Sequence, residues 1–431
     1  MKEVHDVEAV IETLRRKAAD EVASFVREAV QGMEISPEGL AKMEKGLRER
    51  MQGLGASIIG AVMGLAGNGY AGSRQLCECG SQRKYVNDRE RDVVSLLGKF
   101  RLKRAYYWCA QCGKGEAPLD KQLGITSSEF TPTVRELVGR LGAQTPFEQG
   151  RDLMGQLAGL WISKRKHEQI AEGIGAQFDP DAPAAVDLAR AAPQGVEDIY
   201  LLADGTTAPT LEGWREVKIG AVFHARAGKD GLPQRSATRY FGDVIEAETF
   251  GWRWYRQANA MGLGKARRVV VLGDGAAWIW GLAEMHFPGA IQIVDWYHAT
   301  ERLWNVAHAA FGQDNPKARA WGQAGEQLLS EGKVELLLRR ISRLRPGRAE
   351  SKNICREAQG YFSNNANRMR YGRYRRQGLF IGSGIVEAGC KHIVGARFKQ
   401  SGMRWSLSGL RSILQLRLAL QNADWPHAQA A

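Results

Sequence analysis

Ile199-Tyr200-Leu201-Leu202-Ala203-Asp204-Gly205 is a short apolar run that ends in Asp-Gly, and Arg268-Val269-Val270-Val271-Leu272-Gly273-Asp274-Gly275 repeats the pattern. Runs of this length, rich in branched residues and closed by a turn signal, read as buried strands. A third run, Ile291-Gln292-Ile293-Val294, delivers Asp295. Between the first two lie further strand candidates over Trp214 to Phe223 and Thr238 to Ile245, and Glu246 to Met261 reads as a helix. Carboxylates at the carboxyl ends of strands occupy the place where α/β sheets expose their functional groups.

Three hairpin-like strands, a helix, then further strands is an RNase H-like order, so the expected fold class is α/β over residues 197–431. Residues 300–378 read as an all-helical insertion. That insertion is strongly basic: from Arg339 to Arg376 there are eleven Arg and one Lys against Glu350 and Glu357. The whole chain of 431 residues carries 60 Lys+Arg and 47 Asp+Glu, a net charge of +13. Most of the excess therefore sits in one segment, which suits phosphate contact better than a mixed-sign solvated face. Arg368, Arg370, Arg373, Arg375 and Arg376 are its candidates for DNA contact.

Upstream, three further regions are expected. Residues 1–72 read as two amphipathic helices. Leu40, Met43, Leu47, Met51, Leu54 and Ile58 make one stripe, and Ser36-Pro37 suits a helix start. That stripe fits packing within the chain and a dimerisation arm equally well. Residues 73–125 carry Cys77-Glu78-Cys79-Gly80 and Cys109-Ala110-Gln111-Cys112-Gly113 on either side of a hairpin-length segment. Two tight cysteine pairs, each followed by glycine, form a zinc-ribbon-like pattern, although Cys77 and Cys79 stand one residue closer than is usual. Residues 126–184 read as helices. Thr131-Pro132 opens one, Phe147 to Leu157 makes another, and Ser163 caps a third that begins Lys164-Arg165-Lys166. This is a helix-turn-helix-like outline and equally an ordinary helical hairpin. Asp179 to Ala184 reads as a linker.

The composition is 44% apolar and 25% charged, which excludes a mostly disordered chain. Six cysteines are too few for a disulfide-built secreted module. No signal-peptide core opens the sequence, and the uncharged stretch Gln52 to Ser73 is too glycine-rich for a membrane span, so a cytoplasmic protein is expected.

Asp204 and Asp274, side by side on neighbouring strands, could bridge divalent ions, and oxygen ligands select Mg²⁺ or Mn²⁺ over zinc. Asp-Gly after a strand is also a routine turn. A third carboxylate is needed, and Glu284, Glu301 and Glu387 are available. Glu387 lies in Gly382-Ser383-Gly384-Ile385-Val386-Glu387, a helix start. Near it Lys391, Arg397, Lys399 and Arg404 can contact phosphates, and Trp405 fits either base stacking or the core.

Taken in order, Asp204-Gly205, Asp274-Gly275, Asp295-Trp296-Tyr297-His298 and Gly382 to Glu387 resemble bacterial insertion-sequence transposases of the DDE type. The nearest resemblance is to the ISKra-four family, a relative of the Mutator-like group, and it covers most of residues 75–425. It implies Asp204, Asp274 and Glu387 as a Mg-binding catalytic triad, with Asp295 and His298 as a supporting D-x-x-H signature. It also implies structural zinc on Cys77, Cys79, Cys109 and Cys112. The expected activity is metal-dependent phosphodiester hydrolysis followed by strand transfer. The expected partners are terminal inverted repeats, target DNA and a second copy of the chain, in a nucleoid-associated setting. A zinc-containing DNA-binding regulator and an RNase H-like structure-specific nuclease are the alternatives.

Overall fold

The computed structural model describes residues 4–32, 34–180, 198–228 and 233–425. The chain divides into two compact units, one ending at Ala171 and the other spanning Glu172–Trp425. The linker expected over Asp179 to Ala184 lies outside the described residues from position 181 onward. Among the described residues no helix is long and apolar enough to cross a membrane.

The first unit opens with two long helices, α1 (Val4–Gln31) and α2 (Pro37–Ala66). Ser36 caps α2 by accepting from the Gly39 amide at 3.0 Å, with Pro37 in the first turn, as the sequence predicts. A four-stranded antiparallel sheet follows: β1 (Arg74–Leu76), β2 (Gln82–Ser95), β3 (Gly98–Cys109) and β4 (Lys114–Glu116). Ala56 of α2 joins Val93, Phe100, Leu102, Leu119 and Ile125 in its core. The short α3 (Pro118–Gln122) carries buried Asp120, which takes ion pairs from Arg91 at 3.0 Å and from Arg104. Next come α4 (Pro132–Gln144), α5 (Phe147–Ala158) and α6 (Lys164–Gly175). Gly142 of α4 faces Ala171 and Gly150 of α5 faces His167, so small residues let both helices approach α6. Between α5 and α6, Gly159 turns the chain at φ +69°, and the Ser163 hydroxyl accepts from the Lys166 amide at 3.3 Å.

The second unit is built on a mixed five-stranded sheet in the order β7-β6-β5-β8-β9. Its strands are β5 (Asp198–Thr210), β6 (Gly213–Ala227), β7 (Pro233–Asp243), β8 (Arg268–Gly273) and β9 (Ile291–Val294). The first three run as antiparallel neighbours, and β8 and β9 extend the sheet in parallel with β5. Asp198, nearly buried, fixes the start of the β5–β8 pairing by accepting from Arg267 at 3.0 Å and Arg268 at 2.9 Å. Two helices cover these strands, α7 (Ala247–Ala260) and α8 (Ala277–His286). The helical stretch expected over 300–378 is present as α9 (Trp296–Phe311), α10 (Pro316–Ser330), α11 (Val334–Ser342), α12 (Ala349–Asn365) and α13 (Tyr371–Arg376). The chain then returns to the sheet in α14 (Gly384–Gly389), a π-helical stretch Cys390–Gly395, and α15 (Ala396–Phe398), and ends in α16 (Leu407–Gln421). The architecture is mixed α/β.

One strand departs from the reading of the sequence. Asp204 does not end β5, which continues six residues further to Thr210 in register with β6. Polar Thr206 and Thr207 look like a turn in isolation, yet cross-strand pairing to Val217 and Glu216 keeps them extended.

Candidate functional site

Register brings three aspartates together in the second unit. Leu202 of β5 pairs with Leu272 of β8, and Leu272 pairs with Ile293 of β9. Two residues further along each parallel strand stand Asp204, Asp274 and Asp295. All three therefore hold equivalent positions on one side of the sheet.

Their surroundings differ. The Asp204 carboxylate accepts from the Gly205 amide at 2.7 Å. Burial pushes it above the usual carboxylate range; the Cys390 thiol and Gly205 amide pull it down, while the Asp274 charge adds to the rise. Asp274 accepts from the Ala276 amide at 2.9 Å, and its main-chain carbonyl accepts from the Tyr361 hydroxyl at 2.8 Å. Asp295 is fully buried, and both of its oxygens serve the backbone. One caps α9 by accepting from the His298 amide at 2.8 Å; the other accepts from the Ser383 amide. The Trp296 amide adds a bond to the Ile381 carbonyl at 2.8 Å. Asp295 thus clamps the end of β9 to the segment that opens α14.

That clamp positions Glu387. Its Oε1 accepts from the Ser383 hydroxyl at 3.1 Å and lies 3.6 Å from His298 Nε2. His298 Nδ1 in turn is 3.9 Å from Glu301. Asp295, His298 and Glu387 each offer one ligand atom within 4.8 Å of the others, a group that could hold a metal ion. Glu284, the third carboxylate candidate, is engaged elsewhere, with Arg368 at 3.3 Å. Asp204 neighbours Asp274 and His298, but the tightest ligand group is Asp295, His298 and Glu387, at the end of β9 beside the strand that delivers Asp274.

Cys390 was missed by sequence reasoning. It is buried, and its thiol meets Asp204 because the π-helical stretch carries it back over β5. An extra residue per turn in a helix is a frequent mark of functional positions. Burial first, then the Asp204 charge, push this thiol far above its usual range.

Among the residues expected to contact DNA, Arg397 is corrected, and Trp405 takes the core reading of its two. Arg397 is 0% exposed, with its guanidinium 4.8 Å from the Trp405 ring. Trp405 is 6% exposed, and its backbone bonds to Pro209 and Leu211 at 3.2 and 2.9 Å. Both belong to the core, where stacking of the planar cation on the indole replaces solvent. Arg368 and Arg370 are also engaged internally. The first donates to Gln292 at 2.6 Å, and the second pairs with Glu335 at 2.7 Å. Arg375 lies over Trp296 at 4.7 Å but remains exposed, and Arg373 and Arg376 project outward from α13. Lys391, Lys399 and Arg404 are exposed, and Lys399 donates to Thr206 at 2.7 Å, close to Asp204. In the first unit Lys164 and Arg165 are exposed, while Lys166 pairs with Glu129 at 3.2 Å.

The first unit holds a second cluster. Cys77 and Cys79 lie between β1 and β2, and Cys109 and Cys112 flank the turn into β4. Gly80 and Gly113 take φ +83° and +65°, which lets both loops fold back. The sulfurs of Cys77 and Cys112 are 3.7 Å apart, and those of Cys79 and Cys109 are 3.8 Å apart. All four lie within 4.8 Å of one another and could hold a metal ion. The Cys112 and Gln111 amides hold Cys109 down to about 6 despite burial, whereas Cys112 rises to about 11.

The chain belongs to Uncharacterised protein family (UPF0236), whose model matches residues 32–428. A comparison with curated proteins finds no match.

Proposed function

We propose that the chain is a DDE-type DNA transposase of an insertion sequence. It would hydrolyse a phosphodiester to free a 3′-OH and join that hydroxyl to target DNA. The observation that carries this reading is the alignment of Asp204, Asp274 and Asp295 on three neighbouring strands, with Glu387 delivered beside them. The strand order supports an RNase H-like core, and α9 to α13, between β9 and Glu387, support a helical insertion within it.

The donor set fits a hard divalent cation. Asp204 is a carboxylate that burial disfavours and Asp274 opposes, and a cation would relieve both. Asp204, Asp274 and Glu387 would hold Mg²⁺ or Mn²⁺. Bound there, such ions activate an attacking oxygen and stabilise a leaving one. Asp295 is a positioning residue in this account, because the backbone uses both of its oxygens. His298 holds the Glu387 carboxylate toward the site. Cys390 donates to Asp204 and leaves the aspartate's other lone pairs for the ion. Lys399, Lys391 and Arg404, with Arg373, Arg375 and Arg376, supply cations for the DNA backbone.

The four cysteines fit zinc in a ribbon-like module. With Zn–S near 2.3 Å, a tetrahedral site has an S–S edge of about 3.8 Å. The two closest sulfur pairs stand at 3.7 and 3.8 Å. This module and α4 to α6 would read the element's ends, with α6 as the helix-turn-helix-like recognition helix.

The test is incubation with a pre-cleaved end, taken from the DNA that flanks the chain's own gene, and a plasmid target in Mg²⁺. Joined product supports the transposase. Cleavage without joining points to a nuclease, and binding alone to a regulator.

A further inference from the structure

Helix α2 has three faces about 120° apart at 100° per residue, and the described residues cover two of them. Gly46, Arg50 and Ser57 face α1. Phe25 rests near Gly46, Glu21 pairs with Arg50 at 3.5 Å, and Lys17 donates to Ser57 at 2.7 Å. Ala56, Ile59 and Met63 face the core shared with Val93 and Phe100. The third face carries Leu40, Leu47, Met51, Ile58 and Val62, which are 40% to 54% exposed. Their spacing of seven, four, seven and four keeps them in one line along the helix. On α1, Val7, Ile11, Val22, Val26 and Val30 are 38% to 69% exposed. The α2 line, and on α1 all of these residues but Val7, follow the face toward the other helix by about 110–130° in the direction of the chain. Because the helices are antiparallel, the two lines turn to the same side of the hairpin, away from the sheet.

We propose that this apolar face is the dimer interface, and that its occupant is the same face of a second copy of the chain. Three observations select that occupant. The first is size. Helices of 28 and 30 residues are about 42 and 45 Å long, and a pair about 20 Å wide offers about 800 Å², the area one partner gives to a standard interface. The second is charge. Residues 4–66 carry ten acidic and eight basic side chains, net −2, in a chain of net +13. The hairpin is therefore no match for nucleic acid, and its mixed signs are compatible with themselves. The third is symmetry. The α2 line is centred on Met51, and every charge of α2 lies at or before Arg50. Antiparallel pairing about a two-fold axis at Met51 lays the charged half against the uncharged half, with Leu40 opposite Val62. Parallel pairing would set Glu44, which shares the angle of Val62 on this face, against its own copy. An isologous contact of this kind closes at two subunits. It is independent of the catalytic reading.

Sedimentation of the full chain, wild type and variants, tests the proposal. The wild type should be a dimer at low micromolar concentration. Met51→Glu and Val26→Glu should each weaken association roughly 100-fold, since they bury charge at an apolar contact. Their thermal unfolding should be unchanged, because both side chains are exposed in one chain. Under mild oxidation Met51→Cys should form a covalent dimer above the wild-type level, whereas Val62→Cys alone should not. A wild type that stays monomeric at tens of micromolar overturns the proposal, whether or not it binds lipid vesicles. So does a dimer that both charged variants leave intact.

Discussion

At the residue scale, the two aspartates Asp204 and Asp295 have opposite tasks, and substitution separates them. Asp204 sits where ionisation is disfavoured, so in metal-free protein its charge costs stability. Its folded value is raised, so its favourable contribution is present at low pH and is lost as pH rises through the carboxylate range. Asp204→Asn should therefore raise the melting temperature of metal-free protein at pH 7, with the gain vanishing toward pH 4. Mg²⁺ should stabilise the wild type but not this variant, and calorimetry in both conditions checks it. Asp295 behaves in reverse. Removing a fully buried carboxylate that accepts from the His298 and Ser383 amides leaves one buried and one partly buried donor unpaired. Asp295→Ala should cost about 2–4 kcal/mol by chemical denaturation, whereas exposed Tyr297→Ala should cost well under about 1 kcal/mol. Asp204 and Asp274 were legible because each breaks an apolar run. The clamp was not, because Ser383 lies 88 residues from Asp295 and reaches it only through the return of α14 to the sheet. Cys390 was equally hidden, since a lone cysteine in a helix carries no mark of what its thiol meets.

At the scale of elements, the cysteine sheet and the basic helices each make a prediction. β1 and β4 have three residues each, too short to stand without a cross-link, so metal at the four thiolates should hold that end of the sheet. Metal analysis should find about one zinc per chain for a single tetrahedral site. Cys112→Ser should lose that zinc and unprotect the amides of β1 and β4 in hydrogen exchange, leaving α9 to α13 unaffected. In the basic segment the sequence showed the charge but not its allocation. Pairing partners such as Glu335 and Glu284 lie dozens of residues away, so Arg370 and Arg368 looked as free as Arg373. Replacing Arg373, Arg375 and Arg376 together by Ala should flatten the log–log salt dependence of DNA binding by about two to three units. Arg370→Ala should instead lower stability and leave that slope nearly unchanged. Arg397 was misread for a related reason, and of the two readings of Trp405 the core one holds, since a cation and an indole satisfy each other when they stack and no longer need the surface.

At the scale of the whole molecule, composition and periodicity were enough to place an α/β sheet after a cysteine module and helices in chain order. They could not say that the apolar line of α2 faces outward, because one stripe in sequence serves a core and an interface alike. The central claim concerns the second unit: metal-dependent phosphoryl transfer at carboxylates aligned by strand register. The most direct measurement compares wild type with Asp204→Asn in joining a pre-cleaved end of the flanking DNA to plasmid in Mg²⁺, with end binding measured in parallel. The account predicts equal binding, joined product from the wild type, and a loss of about 100- to 1,000-fold in the variant. Joining by Asp204→Asn at the wild-type rate, or joining by the wild type in the presence of excess chelator, would contradict it.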